Sequence, residues 1–303
     1  MTKLDVIIPV KDRSTVSRCI SVLLEQAELA SEIHLNRIIL CDGGSREAEC
    51  QRQLRWVEQF SAVEVLNCPH PGFNKGWLLN QGLEAATAPW VLISDIDILW
   101  TATTLNALCS ATKSNPNQLC CIQSVQESQP TNIAPQRPRY TYRLEKTAQD
   151  IQVKVFSDSS CSPLRPGYGL VWGARSLFQR IGGYRHCFDG WGWEDQDLLI
   201  RTQLLGYEVT EVGSVIHLSH SDARRNAFSE QQRPQESRDR NLLICLAKLA
   251  AGNLGGDWSA IASIGLDLAC SRSPGSISIS VPSQLLYAAH PDYPLPKSAQ
   301  SSI

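Results

Sequence analysis

The sequence predicts an α/β protein with a mostly parallel sheet flanked by helices. Three observations carry this: short apolar runs alternate with helix-periodic segments through the first 120 residues, polar turns follow the runs, and the 303-residue chain is long enough for one large core. The formal net charge of -2 provides no basic field for nucleic acid, which is not expected as a partner. No apolar run reaches the eighteen or more residues that suggest a membrane span. Eleven cysteines without a Cys-x-x-Cys pair fit reduced thiols rather than a disulfide framework, so a cytoplasmic location is expected.

Asp5 to Val10 is a short apolar strand, and Lys11 to Ser14 a polar loop leading into a helix from about Thr15 to Leu29. Arg37 to Cys41 is a second strand, Asp42 to Ser45 a turn, and Arg46 to Phe60 a helix that Ser45 can cap. Val63 to Leu66 and Gly76 to Ala86 repeat the unit. Trp90 to Leu99 then reads as one buried strand interrupted by Asp95 and Asp97, which in an extended chain share a face. Isolated buried charges are costly, so the pair is expected to meet a cation or ligand. Ligands of parallel sheets lie beyond the carboxyl ends of the strands, where Lys11, Arg13, Asp42, Asp95 and Asp97 all fall.

Thr103 to Ser114 is expected to be a helix and Leu119 to Ile122 a strand. The Pro-, Gln- and Ser-rich text of 124–165 reads as a long loop, possible acceptor contacts included. Pro166 to Gly173 reads as a strand, and a short helix follows from Arg175 to Ile181. Trp191-Gly192-Trp193 then delivers Glu194, Asp195 and Asp197 into the first turn of a helix. Acids there are favoured by the helix dipole for stability alone, and Asp197 has Arg201 four residues on as a partner. Glu194 and Asp195 lack such a partner and are freer to act on a ligand. Trp191 and Trp193 fit either a core or the apolar face of a sugar ring. Beyond the strand Tyr207 to Val212, His217 and His220 are placed to join Asp97 around a metal. The polar run 221–240 reads as a mobile segment and Asn241 to Ala251 as a helix. The division expected is one domain over 1–254, with a nucleotide-binding half (1–123), the loop (124–165) and an acceptor and catalytic half (166–254), then a loosely packed tail over 255–303.

Five segments in order, VIIPVKDR, FNKGWLLNQG, SDID, WGWEDQDL and HLSH, resemble those of GT-A fold glycosyltransferases of family 2, on the galactosyltransferase-like branch. The resemblance covers about Asp5 to Asn241. It implies a Rossmann-like GT-A domain and an inverting, metal-dependent transferase. The partners it implies are a nucleotide-sugar donor, a UDP-sugar first, and a carbohydrate or glycoconjugate acceptor. By the same resemblance Pro9, Lys11, Arg13, Asp42, Phe73, Lys75 and Asp95 contact the donor, and Asp97, His217 and His220 hold Mn2+ or Mg2+. Asp195 is the base with Glu194 beside it, and Trp191, Gly192, Trp193 and Asp197 lie at the acceptor. The branch has Gly where this chain has Trp193, an acid where it has Gln196, and often Met where it has His217. The other reading of the same features is a non-catalytic protein that binds nucleotide sugars or carbohydrate.

Overall fold

A computed structural model describes residues 1–113, 115–129, 139–146, 150–158, 164–220, 227–228, 233–258, 270–273 and 276–282. The N-terminal half follows the expected alternation: β1 (Thr2–Val10), α1 (Val16–Leu29), β2 (Ile33–Asp42), α2 (Ala48–Val57), β3 (Val63–Asn67), α3 (Lys75–Ala85) and β4 (Trp90–Ile93). After it come β5 (Ile98–Leu99), α4 (Ala102–Thr112), β6 (Gln118–Glu127), β7 (Arg139–Lys146) and β8 (Asp150–Asp158). The second half contains β9 (Leu164–Ala174), α5 (Arg175–Arg180), α6 (Glu194–Leu204), β10 (Glu208–His217), α7 (Pro234–Ala250), β11 (Cys270–Ser273) and β12 (Ser276–Pro282).

The main sheet has the order β3-β2-β1-β4-β9-β6-β10-β5. Four of its seven neighbouring pairs are parallel, β9 running against both β4 and β6 and β5 against β10. Alternate residues of its central strands enter two separate apolar clusters, one on each face. Val6, Ile8, Leu40 and Leu92 pack with α1, α2 and α4, whereas Ile7, Ile39, Val91 and Ile93 pack with α3, α5, α6 and α7. Burial on both faces is why these strands read as continuous apolar runs. No helix among the described residues is long and apolar enough to cross a membrane.

Three expectations are corrected. The strand expected over Trp90 to Leu99 ends at Ile93, and Asp95-Ile96-Asp97 forms a turn before β5. Thr15 Oγ1 donates to the Ile96 carbonyl (2.8 Å) and Trp100 Nε1 to Ser94 Oγ (2.9 Å), which hold the chain in its turn. The two acids therefore do not share a strand face.

The loop expected over 124–165 contains the end of β6 and the hairpin β7–β8, which joins β12 and β11 in a second, four-stranded antiparallel sheet. Ile151, Val153 and Val155 are buried at every second position, with Tyr140, Tyr142 and Leu144 packed beside them. The intervening Thr141, Arg143, Gln152 and Lys154 are polar, a half-buried pattern. The remainder of that loop, 130–138, 147–149 and 159–163, lies outside the described residues.

The tail expected over 255–303 supplies β11 and β12, and Gly256, Asp257 and Trp258 are tied by backbone bonds to Ile181, Tyr184 and Gly182. Its stretches 259–269, 274–275 and 283–303 are outside the described residues. Helix α7 begins at Pro234, within the run expected to be mobile. A proline there costs no helical hydrogen bond because the first turn has none to lose.

Candidate functional site

A cleft opens along one edge of the main sheet, where β1 and β4 end, β9 begins and β10 ends. It is lined by Pro9, Lys11, Arg13, Phe73, Lys75, Asp95, Asp97, Trp191, Gly192, Glu194, Asp195, His217 and His220 of the expected set. Arg165, Tyr168, Gly169, Gln196 and Phe228 also line it. Asp42, Trp193 and Asp197 do not.

Each wall has a structural cause. Asp12 adopts a positive φ of 49°, and its Oδ1 accepts from the Arg46 and Glu47 amides at 2.5 and 2.7 Å. This carboxylate serves the start of α2 and fixes the loop that presents Lys11 and Arg13. Lys11 Nζ donates to the carbonyls of His70 (2.8 Å) and Gly72 (2.7 Å), closing the loop after β3, and lies 5.0 Å from the Phe228 ring centre. Burial lowers its pKa from the ordinary lysine value. Asn74 caps α3 by accepting from the Trp77 amide at 2.8 Å, which sets Lys75 at the first helical position facing the cleft.

Lys75 gathers three carboxylates. Its Nζ lies 3.1 Å from Asp95 Oδ1, 3.1 Å from Asp195 Oδ2 and 3.9 Å from Glu194 Oε1. Burial alone would lower the lysine, but Asp195, Asp95 and Glu194 together raise it well above its ordinary value, so it stays charged. Burial pushes Glu194 up to about 8, helped by Asp195 and opposed by Lys75. Burial raises Asp195 as well, with Lys75 acting against it. Glu194 Oε2 and Asp195 Oδ1 are buried without a hydrogen-bond partner. Such groups are rare in folded proteins and mark places where a ligand supplies the partner. Gly169 of β9 faces this cluster: a Cβ there would come 2.5 Å from Asp195 Oδ2 and 2.9 Å from Lys75 Nζ.

On the opposite side of the cleft, Asp97 Oδ2 lies 3.3 Å from His220 Nε2 and 3.6 Å from His217 Nε2. One ligand atom from each residue falls within 4.8 Å of the others. His217 Nδ1 donates to Glu127 Oε2 at 2.7 Å, which leaves Nε2 as the ring atom facing Asp97. Burial opposes charge on Asp97 and on His217 alike. Bonds from the two imidazoles nevertheless hold Asp97 well below the usual carboxylate range, and Asp97 and Glu127 raise His217. Burial likewise works against the Glu127 carboxylate, yet bonds from His217 and Ser219 bring it down to about 2. A carboxylate and two imidazoles in convergence, one ring fixed from behind, are a donor set that fits a divalent transition metal.

The turn between these walls comes from Gly190, Gly192 and Trp193, all with positive φ (70°, 97° and 78°). Its carbonyls at Asp189 and Gly192 accept from Asn241 Nδ2 (3.0 and 2.8 Å), and Ser237 Oγ bonds both the amide and the carbonyl of Trp191. Helix α7 thus holds the turn that aims α6 at the cleft. Ser237 and Asn241 were not legible as site supports, because nothing local in the sequence ties residue 241 to residue 189.

Three expected site residues are corrected. Trp193 is 1% exposed and packs in the core, edge-on to Tyr140 at 6.2 Å, outside the cleft lining where the acceptor contact was expected. Asp197 is fully buried between Arg185 (2.6 Å) and Arg201 (2.8 Å), and those guanidiniums keep its pKa low despite burial. Its carboxylate is occupied by these two ion pairs and does not line the cleft where the acceptor contact was expected. Asp42 accepts from the Ser45 amide (2.9 Å) and hydroxyl (2.6 Å), shaping the turn after β2 outside the cleft lining.

The order of strands, the mixed sheet and the acid-and-imidazole edge define a GT-A type of α/β domain. The model of glycosyl transferase family 2 matches residues 5–165, more than half of the chain, and the chain belongs to that family. Residues 160–221, which carry Asp195, His217 and His220, match a second model described as the N-terminal domain of galactosyltransferase. Among curated proteins none matches the sequence. Solved structures share the fold. GalNAc-T7 with UDP, GalNAc and Mn2+ superposes with a TM-score of 0.57 at 15% identity, over 81% of this chain and 48% of that one. The mannosyltransferase PcManGT from Pyrobaculum calidifontis, in complex with GDP-Man and Mn2+, gives 0.52 at 16% identity, over 81% and 63%. The chain thus spans about half to two thirds of the length of these neighbours.

Proposed function

We propose that this chain is an inverting, metal-dependent glycosyltransferase that moves a sugar from a nucleoside diphosphate, UDP first, to a hydroxyl of a carbohydrate or glycoconjugate. One observation carries the reading: the orphaned Asp195 carboxyl oxygen and the Asp97–His217–His220 cluster line one cleft. Family membership and neighbours solved with UDP or GDP-Man and Mn2+ support it.

In this reading Pro9, Lys11, Arg13, Phe73, Lys75 and Asp95 border the donor. Asp97, His217 and His220 hold the cation, with Mn2+ favoured over Mg2+ because two of three ligands are imidazoles. When bound, that cation supplies Lewis-acid stabilisation of the leaving diphosphate. Trp191 and Gly192 face the acceptor, whose hydroxyl oxygen attacks the anomeric carbon while the bond to the diphosphate oxygen breaks. The hydroxyl proton passes to Asp195, and the diphosphate departs with the bonding pair. Lys75, 3.1 Å from Asp195 Oδ2, works against the burial that raises the Asp195 pKa and so favours the ionised form that accepts the proton. Glu194, held protonated at neutral pH, is positioned as a hydrogen-bond donor to the sugar. The free, mostly buried thiols among the described residues support placement in a reducing compartment such as the cytoplasm.

The test is thermal stabilisation by a panel of nucleotide sugars with and without Mn2+. Stabilisation should need the metal and disappear in Asp97→Ala. Stabilisation of equal size in metal-free buffer would remove the cation from the proposal.

A further inference from the structure

We propose that Glu127 is a positioning residue of the cation site, holding the His217 ring by Nδ1 so that Nε2 is the ring atom turned toward Asp97 and presented to a cation. The proposal rests on the reading of Asp97, His217 and His220 as that site. Glu127 is the last residue of β6 and stands directly opposite His217 in the parallel pairing of β6 with β10. Its Oε2 accepts from His217 Nδ1 at 2.7 Å and from Ser219 Oγ at 2.9 Å, while Oε1 accepts from Arg165 Nε at 3.4 Å. Side chains from β9, from β10 and from the segment after it therefore converge on one carboxylate.

The backbone makes the arrangement firm. The Ser128 amide donates to the His217 carbonyl (2.9 Å), and the Ser219 amide returns a bond to Ser128 Oγ (3.1 Å). His217 is 4% exposed, so its ring has no alternative partner in solvent. An acceptor fixed behind Nδ1 holds a proton on Nδ1 and aims Nε2 at the point between Asp97 and His220. With Nδ1 engaged in this way, a cation that displaces the Nε2 proton meets a ring already oriented to ligate it. A hydrogen-bonded carboxylate behind a ligating histidine is typically worth about 10- to 100-fold in metal affinity.

Two substitutions separate positioning from charge. Glu127→Asp keeps the charge but draws the carboxylate back by one carbon from Nδ1. Glu127→Gln loses the charge but leaves an oxygen for Nδ1 and Ser219, giving up only the long contact to Arg165. Mn2+ binding to the full chain is measured by the EPR signal of the free ion during titration with manganese chloride, Asp97→Ala serving as the site-less reference. We expect Glu127→Asp to weaken Mn2+ at least about tenfold and Glu127→Gln only a few fold. The reverse order, or both variants within twofold of the parent chain, overturns the proposal while leaving the cation site standing. A parent chain that binds Mn2+ no better than Asp97→Ala overturns the cation site and this inference together.

Discussion

Glu194 opens α6 with one carboxyl oxygen near Lys75 and the other buried without a partner, and the two facts pull its proton affinity in opposite directions. Burial wins, and the group titrates at about 8 in the folded chain against about 4.3 in an unfolded one. A folded pKa raised above the unfolded value contributes stability that is fully present at low pH. That stability is lost as pH rises from the unfolded value through the folded one. Glu194→Gln removes this titration. The melting temperature of the metal-free variant, relative to the parent, should therefore climb between pH 5 and pH 8; a difference flat across that window would count against the buried, neutral Glu194. Asp195 shares the environment but lies closer to Lys75, at 3.1 Å against 3.9 Å, which is why Glu194 is assigned a hydrogen bond to the sugar and its neighbour the role of base.

Element by element, β9 and α6 make separate contributions. β9 passes the cleft as Gly167-Tyr168-Gly169, and the missing side chain at Gly169 gives Lys75 and Asp195 room to meet. Its backbone is not left-handed, so Gly169→Ala strains the ends of two side chains rather than the main chain. Transfer should fall about 100-fold, the scale of an ångström-sized misplacement, with little change in melting temperature. A fully active Gly169→Ala would mean that the Lys75–Asp195 contact does not matter for turnover. In α6, Asp197 pairs with Arg201 of its own helix and with Arg185, whose guanidinium also reaches the carbonyls of Asn253 and Gly255. Asp197→Ala leaves two buried guanidiniums uncompensated, at a cost of about 3–5 kcal/mol in chemical denaturation. If instead stability held and only acceptor affinity dropped, Asp197 would be a binding residue after all.

The limits of legibility follow the same elements. Strands buried on both faces, such as Ile7-Ile8 and Ile38-Ile39-Leu40, announce themselves. The β7–β8 hairpin did not, because its alternation of Tyr140, Tyr142, Ile151, Val153 and Val155 sits among prolines and glutamines that dominate any local window. The Asp95–Asp97 turn was masked by apolar neighbours, Ile96 and Ile98, that are buried for reasons of their own. The Asp197–Arg201 pair was legible from its i,i+4 spacing, whereas Arg185 beside Asp197 and Tyr140 beside Trp193 are set by the fold alone.

At the scale of the whole molecule, the site exists because distant segments meet on one sheet edge. Lys11 and Arg13 leave β1, Asp95 and Asp97 leave β4, Lys75 begins α3, Asp195 begins α6 and His217 ends β10. β5 starts right after Asp97 and pairs with β10 at Ile98–His217, and the Leu218 amide donates to the Asp97 carbonyl (2.7 Å), which brings the two histidines to Asp97. Motif order along the chain anticipated this assembly, whereas the α7 contacts that brace the 189–193 turn, and the Glu127 contact, depend on pairings more than 40 residues apart. Transfer in this protein requires Asp195 and the Asp97 cluster to act on one donor. The most direct test of that requirement is release of nucleoside diphosphate from a panel of nucleotide sugars, with carbohydrate acceptors and Mn2+, by the parent chain and by Asp195→Asn. We expect acceptor-dependent release by the parent and a loss of about 10²- to 10⁴-fold in the variant, with Mn2+-dependent donor binding retained. Undiminished turnover by Asp195→Asn, or no turnover by the parent with any donor, would contradict it.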